Sequence, residues 1–119
     1  MQSVPGIFSS NAPSELIEES MRIAADNSGS VHPGGYRAMA HSMAEADLRD
    51  VLPQIRIPTL LLYGDRDERA PLHIAEDLRD RIPTAELVVI PGAGHGVNSE
   101  AALEFNAQVR RFLRRIEQI

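Results

Sequence analysis

With 119 residues, 43% of them hydrophobic and 24% charged, the chain has the length of a single domain and the balance of an ordinary soluble globular protein. A net charge of −5 leaves no basic stripe to neutralise phosphates and argues against a nucleic-acid partner, and the absence of cysteine excludes disulfides and thiolate chemistry. No apolar run approaches the ~18 residues of a membrane span, and Met1-Gln2-Ser3-Val4-Pro5 has neither the basic start nor the apolar stretch of a leader, so a cytoplasmic chain without a membrane contact is expected.

Residues 1–13 contain Pro5, Gly6, Asn11 and Pro13 and read as irregular. Ser14 is placed to cap a helix running to about Asp26, with Glu15 and Glu18 near its positive end and Leu16, Ile17, Met21 and Ala24 as its apolar stripe. Residues 27–35 form a loop rich in glycine and serine. A second helix is expected from about Tyr36 through Met39, Ala40, Met43 and Ala44, then a helical turn over residues 47–52, before Pro53 and Pro58 lead into a strand.

Thr59-Leu60-Leu61-Leu62-Tyr63, closed by Gly64, and Glu86-Leu87-Val88-Val89-Ile90, closed by Pro91-Gly92, are apolar runs that do not alternate with polar residues. Such strands are covered on both faces, as in a parallel sheet. Between them, residues 71–82 place Leu72, Ile74, Ala75, Leu78 and Ile82 at near-helical spacing, with Pro71 suited to a first turn and Pro83 ending the helix. The unit is strand, helix, strand, with a right-handed crossover. The turns leaving the carboxyl ends of the strands carry Asp65-Arg66-Asp67-Glu68 and Gly94-His95-Gly96, and in open α/β sheets that edge carries the chemistry. A last helix is expected from Asn98 or Ser99 to Ile116, burying Ala102, Phe105, Val109, Phe112 and Ile116, with Glu100 and Glu104 near its start and Arg110, Arg111, Arg114 and Arg115 near its end. The fold class is α/β, with two parallel strands at about 59–64 and 86–91 flanked by helices. Two strands are fewer than the ~4–6 of a usual sheet, so something must complete it: an N-terminal part of the same protein, a second chain, or another copy.

The run Ile57-Pro58-Thr59-Leu60-Leu61-Leu62-Tyr63-Gly64-Asp65-Arg66-Asp67, with Pro71 beyond it, resembles the seventh strand and catalytic-acid turn of the α/β-hydrolases. Ala85-Glu86-Leu87-Val88-Val89-Ile90-Pro91-Gly92-Ala93-Gly94-His95 resembles their eighth strand and catalytic-histidine loop, and Glu104-Phe105-Asn106 with Arg111-Phe112-Leu113 resembles their closing helix. The resemblance covers residues 55–119 as the C-terminal part of the core, and residues 1–54 as a cap-like helical segment. Its branch is that of esterases, lactonases and haloperoxidases. Ala102 stands where many relatives carry proline.

The resemblance implies hydrolysis of esters, lactones or similar small carbonyl compounds by a Ser-Asp-His triad, with no cofactor and no metal. His95 would be the general base and Asp67 the acid that orients it, with room for one helix and one strand between them. Asp65 is the competing acid, better suited to bonding backbone amides of its turn. The nucleophile elbow G-x-S-x-G does not occur in this sequence. Ser28 and Ser30 follow no strand, and His32-Pro33-Gly34-Gly35 reads as a plain loop, not an oxyanion motif. His41 and His73 sit on helices without zinc-site spacing, and Met21, Met39 and Met43 read as core before a ligand wall. The alternative to a hydrolase is a non-catalytic interaction module that completes its sheet with a partner chain or another copy.

Overall fold

The computed structural model describes residues 6–30 and 32–118; residues 1–5, where the leader reading and Pro5 fall, lie outside the described residues, as do Val31 and Ile119. The elements in chain order are α1 (Ser14–Ser28), α2 (Pro33–Glu45), a 3-10 turn (Leu52–Gln54), β1 (Thr59–Gly64), α3 (Leu72–Arg81), β2 (Ala85–Ile90), α4 (Val97–Glu100) and α5 (Ala102–Ile116).

β1 and β2 pair in parallel, from Thr59 opposite Ala85 to Gly64 opposite Ile90. The Thr84 hydroxyl and the Thr59 hydroxyl both donate to the Ile57 carbonyl and fix the lower end of the ladder. α3 packs against both strands, and so does α5, while α4 lies against β1. The tight core is small: Ile90, Ala93 and Val97, with Leu62, Ala101 and Phe105 packed around them, and Ala75 and Ile82 buried on the α3 side. The strand residues before Gly64 and Ile90 are only half-buried, so the continuous apolar runs are incompletely covered.

Local side-chain chemistry moves the helix boundaries from their expected places. α2 begins at Pro33, because Pro33 fits the first turn and the His32 ring caps it, Nδ1 accepting the Gly34 N–H at 3.2 Å. The His32-Pro33-Gly34-Gly35 stretch is therefore a helix start. Ser14 lies inside α1, with Pro13 at the cap position and no side-chain cap. Asp47 accepts the Arg49 N–H, and within the expected stretch the Val51 N–H donates to the Leu48 carbonyl at 2.9 Å, a turn that leads directly into the 3-10 turn Leu52–Gln54. The closing helix is split at Ala101, whose φ of −125° and ψ of 46° separate α4 from α5.

α1 and α2 contain no buried residue, and Tyr36, Met39 and Met43 are exposed, so the last two methionines do not enter a core. The Cα radius of gyration is 16.6 Å. A compact domain of this length would have about 13.5 Å. Among the described residues no helix is long and apolar enough to cross a membrane.

The far edge of β1 pairs with no strand among the described residues. Its free amides and carbonyls, beside half-covered apolar residues, predict that the isolated chain associates, either with its own copies or with a complementing segment. Light scattering coupled to size exclusion over a dilution series should show mass rising with concentration; a monomer peak at every concentration, with protected amides along residues 59–63, would contradict this.

Candidate active site

The two loops at the carboxyl ends of β1 and β2 are joined by backbone bonds. The Asp65 N–H donates to the Ile90 carbonyl at 3.2 Å, and the Arg66 N–H to the Ala93 carbonyl at 3.0 Å. The Asp65 carboxylate accepts the Gly92 N–H at 2.6 Å. Gly64 allows this approach, since a side chain there would collide with the Ala93 carbonyl. Gly92 turns the second loop with a φ of 77°, a region that glycine occupies without strain.

That junction brings Asp67 and His95 together, with His95 Nδ1 2.9 Å from Asp67 Oδ2. The Asp67 side chain is 5% exposed and the His95 side chain 45% exposed. The other carboxylate oxygen, Oδ1, accepts the Arg69 N–H at 2.9 Å and the Ala70 N–H at 2.8 Å. Burial alone would raise the Asp67 pKa, but the bonds from Ala70, His95 and Arg69 outweigh it and hold the carboxyl below its ordinary value. The Tyr63 phenol is pushed up, first by burial and then by the negative charge of Asp67.

An ionised Asp67 on Nδ1 fixes the imidazole tautomer with Nε2 as the acceptor. Nε2 has no bonding partner among the described residues. The pair can therefore take a proton from a group placed outside the sheet edge and hold the resulting imidazolium beside a carboxylate. A cleft of about 420 Å³ lies beside it, lined by Ser9, Ser10, Asp65, Arg66, Asp67 and Glu68.

Asp67 and His95 are thus in contact, whereas Asp65 faces Gly92. Ser28 and Ser30 each donate to a carbonyl at the end of α1, of Ala25 and Asn27 respectively. Met21 lines a separate apolar cleft with Ile7, Phe8 and Ile17, while Met39 and Met43 face out. The sequence reading missed Ser9 and Glu100, which bond to each other beside the histidine loop. Glu100 registers there only as an acid near a helix start, and nothing marks Ser9.

Comparison with known proteins gives a consistent picture. The family model described as alpha/beta hydrolase fold matches residues 42–102. The chain is 32% identical over 92 residues to the AB hydrolase superfamily protein YisY of Bacillus subtilis, spanning 77% of this chain and 32% of that protein. It is 36% identical over 64 residues to a pimeloyl-[acyl-carrier protein] methyl ester esterase of Vibrio vulnificus, spanning 54% of this chain and 25% of that one. The crystal structure of a bromoperoxidase from Bacillus anthracis superposes with a TM-score of 0.78 at 30% identity, over 92% of this chain and 40% of the bromoperoxidase. The chain therefore spans less than half of the length of each of these proteins.

The depressed Asp67 pKa has a consequence for stability. Because the folded value lies below the unfolded one of about 4, the bonds to Asp67 contribute stability that is complete above about pH 4 and lost as the pH falls through the folded value. Urea unfolding at about pH 6 and about pH 3 should show a loss on acidification that Asp67→Asn reduces. An unchanged pH slope in Asp67→Asn would contradict the assignment.

Proposed function

The chain belongs to the alpha/beta hydrolase fold family, and on that premise we propose that it supplies the acid and base of a serine hydrolase, Asp67 and His95, whose nucleophilic serine lies outside these 119 residues. Residues 55–119 are the C-terminal part of the core in this reading, and residues 1–54 a cap-like segment. The substrate class is an ester, lactone or similar small carbonyl compound, and the esterase from Vibrio vulnificus is the relative that supports it.

The observation that carries the reading is the 2.9 Å contact between a buried carboxylate and a half-exposed imidazole at the carboxyl edge of a parallel sheet. The steps follow from it. His95 Nε2 takes the serine proton as the serine oxygen attacks the carbonyl carbon. The imidazolium, stabilised by Asp67, then gives that proton to the departing alkoxide as the tetrahedral intermediate collapses to an acyl-enzyme. In the second half His95 takes a proton from water, which attacks the acyl carbon. The proton returns to the serine oxygen as the acid product leaves. Asp67 stays ionised throughout, as its backbone bonds to Arg69 and Ala70 favour.

A second reading, a non-catalytic module that completes its sheet with a partner, is favoured by the open edge of β1. An in-frame G-x-S-x-G in the DNA upstream of the first codon would support the hydrolase, and its absence the module.

Two measurements test the catalytic reading. The chain alone should give background turnover of activated esters and no fluorophosphonate label, since an acid and a base have no nucleophile to activate; stoichiometric labelling of any serine would contradict this. In a form joined to or complemented by the serine-bearing part, Asp67→Asn should lower kcat by about 10⁴ with little change of fold, and Asp65→Asn should be far milder. A larger loss in Asp65→Asn would make Asp65 the acid.

A further inference from the structure

We propose that Glu100 is a positioning residue for His95, tying residues 7–9 to the histidine loop so that the imidazole stays on Asp67. This rests on the reading of Asp67 and His95 as an acid–base pair.

Three donors converge on this half-buried carboxylate. Oε1 accepts the Ser9 N–H at 2.8 Å and the Gly94 N–H at 3.2 Å, and Oε2 accepts the Ser9 hydroxyl at 2.7 Å. Ser9 is 6% exposed, so its two donors have little access to water if the carboxylate withdraws. On the other side of His95, the Gly96 N–H donates to the Ile7 carbonyl at 2.6 Å. Both glycines flanking His95 are therefore bonded to one assembly made of residues 7–9 and Glu100.

The packing leaves no slack. A side-chain carbon on Gly94 would lie 2.6 Å from the Ser9 nitrogen and 2.9 Å from Glu100 Oε1, and one on Gly96 would lie 2.8 Å from the Phe8 ring. His95 itself needs this support, because its half-exposed ring makes one hydrogen bond, to Asp67, among the described residues. A bond from one side chain to another fixes the imidazole only if the backbone carrying it is held. Gly94 and Gly96 are where it is held.

The ordinary role of an acid near a helix start, offsetting the helix dipole, depends on charge. Positioning depends on geometry. In Glu100→Gln the amide oxygen can still accept both N–H groups, and its NH₂ can donate to the Ser9 oxygen. The conservative variant should therefore keep the tether, whereas Glu100→Ala abolishes it and Ser9→Ala removes one bond of three.

The test uses the 119-residue chain and two spectroscopic readouts: amide hydrogen exchange at Gly94 and Gly96, and the downfield Nδ1–H resonance of His95, assigned by its loss in His95→Gln and expected to shift in Asp67→Asn. Glu100→Ala should speed exchange at both glycines by about tenfold and broaden the His95 signal, with Ser9→Ala intermediate and Glu100→Gln close to the unsubstituted chain. Ile82→Val, a core change on the α3 side, should leave the His95 signal in place and so separates loss of the tether from general loosening. Unchanged exchange in Glu100→Ala, or Glu100→Gln as damaging as Glu100→Ala, would overturn the proposal. A His95 signal indifferent to Asp67→Asn would instead overturn the acid–base reading while the exchange data still report on the tether.

Discussion

The site depends on the parallel register of two short strands. Because β1 and β2 run the same way and end level, Gly64 opposite Ile90, the loops that follow emerge side by side. Three bonds then join them: Asp65 N–H to Ile90, Arg66 N–H to Ala93, and Gly92 N–H to the Asp65 carboxylate. Without a glycine at position 64 the first loop could not lie against the Ala93 carbonyl. Two residues separated by a whole helix and strand thus come within hydrogen-bond distance through backbone geometry, and their side chains need only complete the contact. Asp65 joins the loops while Asp67 meets the ring, so two aspartates in one turn have different tasks.

This division bears on what was legible in the sequence. The strands are recognisable because each is a mainly apolar run closed by a turn signal, Gly64 or Pro91-Gly92, and α3 because prolines bracket a periodic stripe. Once the strands are parallel, the meeting of their two following turns is a consequence of topology, and the positions of Asp67 and His95 follow. Helix ends were less legible, since single local bonds decide them: the His32 ring on Gly34 starts α2 early, and the turn over residues 48–51 runs on into Leu52–Gln54. Contacts without a periodic signature could not be read at all. Ser9 and Glu100 stand 91 residues apart, and neither the irregular segment around Ser9 nor the short helix bearing Glu100 points to the other.

The same contrast appears in the packing. The buried core centres on Ile90, Ala93 and Val97, directly beneath the histidine loop. Farther along the strands cover is partial, and α1 and α2 hold nothing buried. A radius of gyration of 16.6 Å describes a chain whose ordered centre is the loop junction and whose periphery lacks something to pack on. Surface ion pairs do not compensate: Arg22 with Glu19 and Asp26, and Arg81 with Asp77, are exposed pairs within single helices, where water and salt screen the attraction. The bridge from Arg115 to Glu86 does connect α5 to β2, but at half-exposed positions it secures orientation more than stability.

Asp67 and His95, the proposed acid and base, are also supported in different ways. Asp67 is held by amides two and three residues ahead of it, so its charge is favoured by its own turn even when the histidine is neutral. Burial pushes the other way and is outweighed. A carboxylate stabilised independently of its partner can orient an imidazole without accepting its proton, which is what the role proposed for Asp67 requires. His95 has no comparable local support: its flanking amides are bonded to Glu100 and to Ile7, residues contributed by α4 and by the N-terminal segment. The position of Asp67 is a property of one turn, whereas that of His95 depends on the N-terminal segment and α4 meeting at its loop.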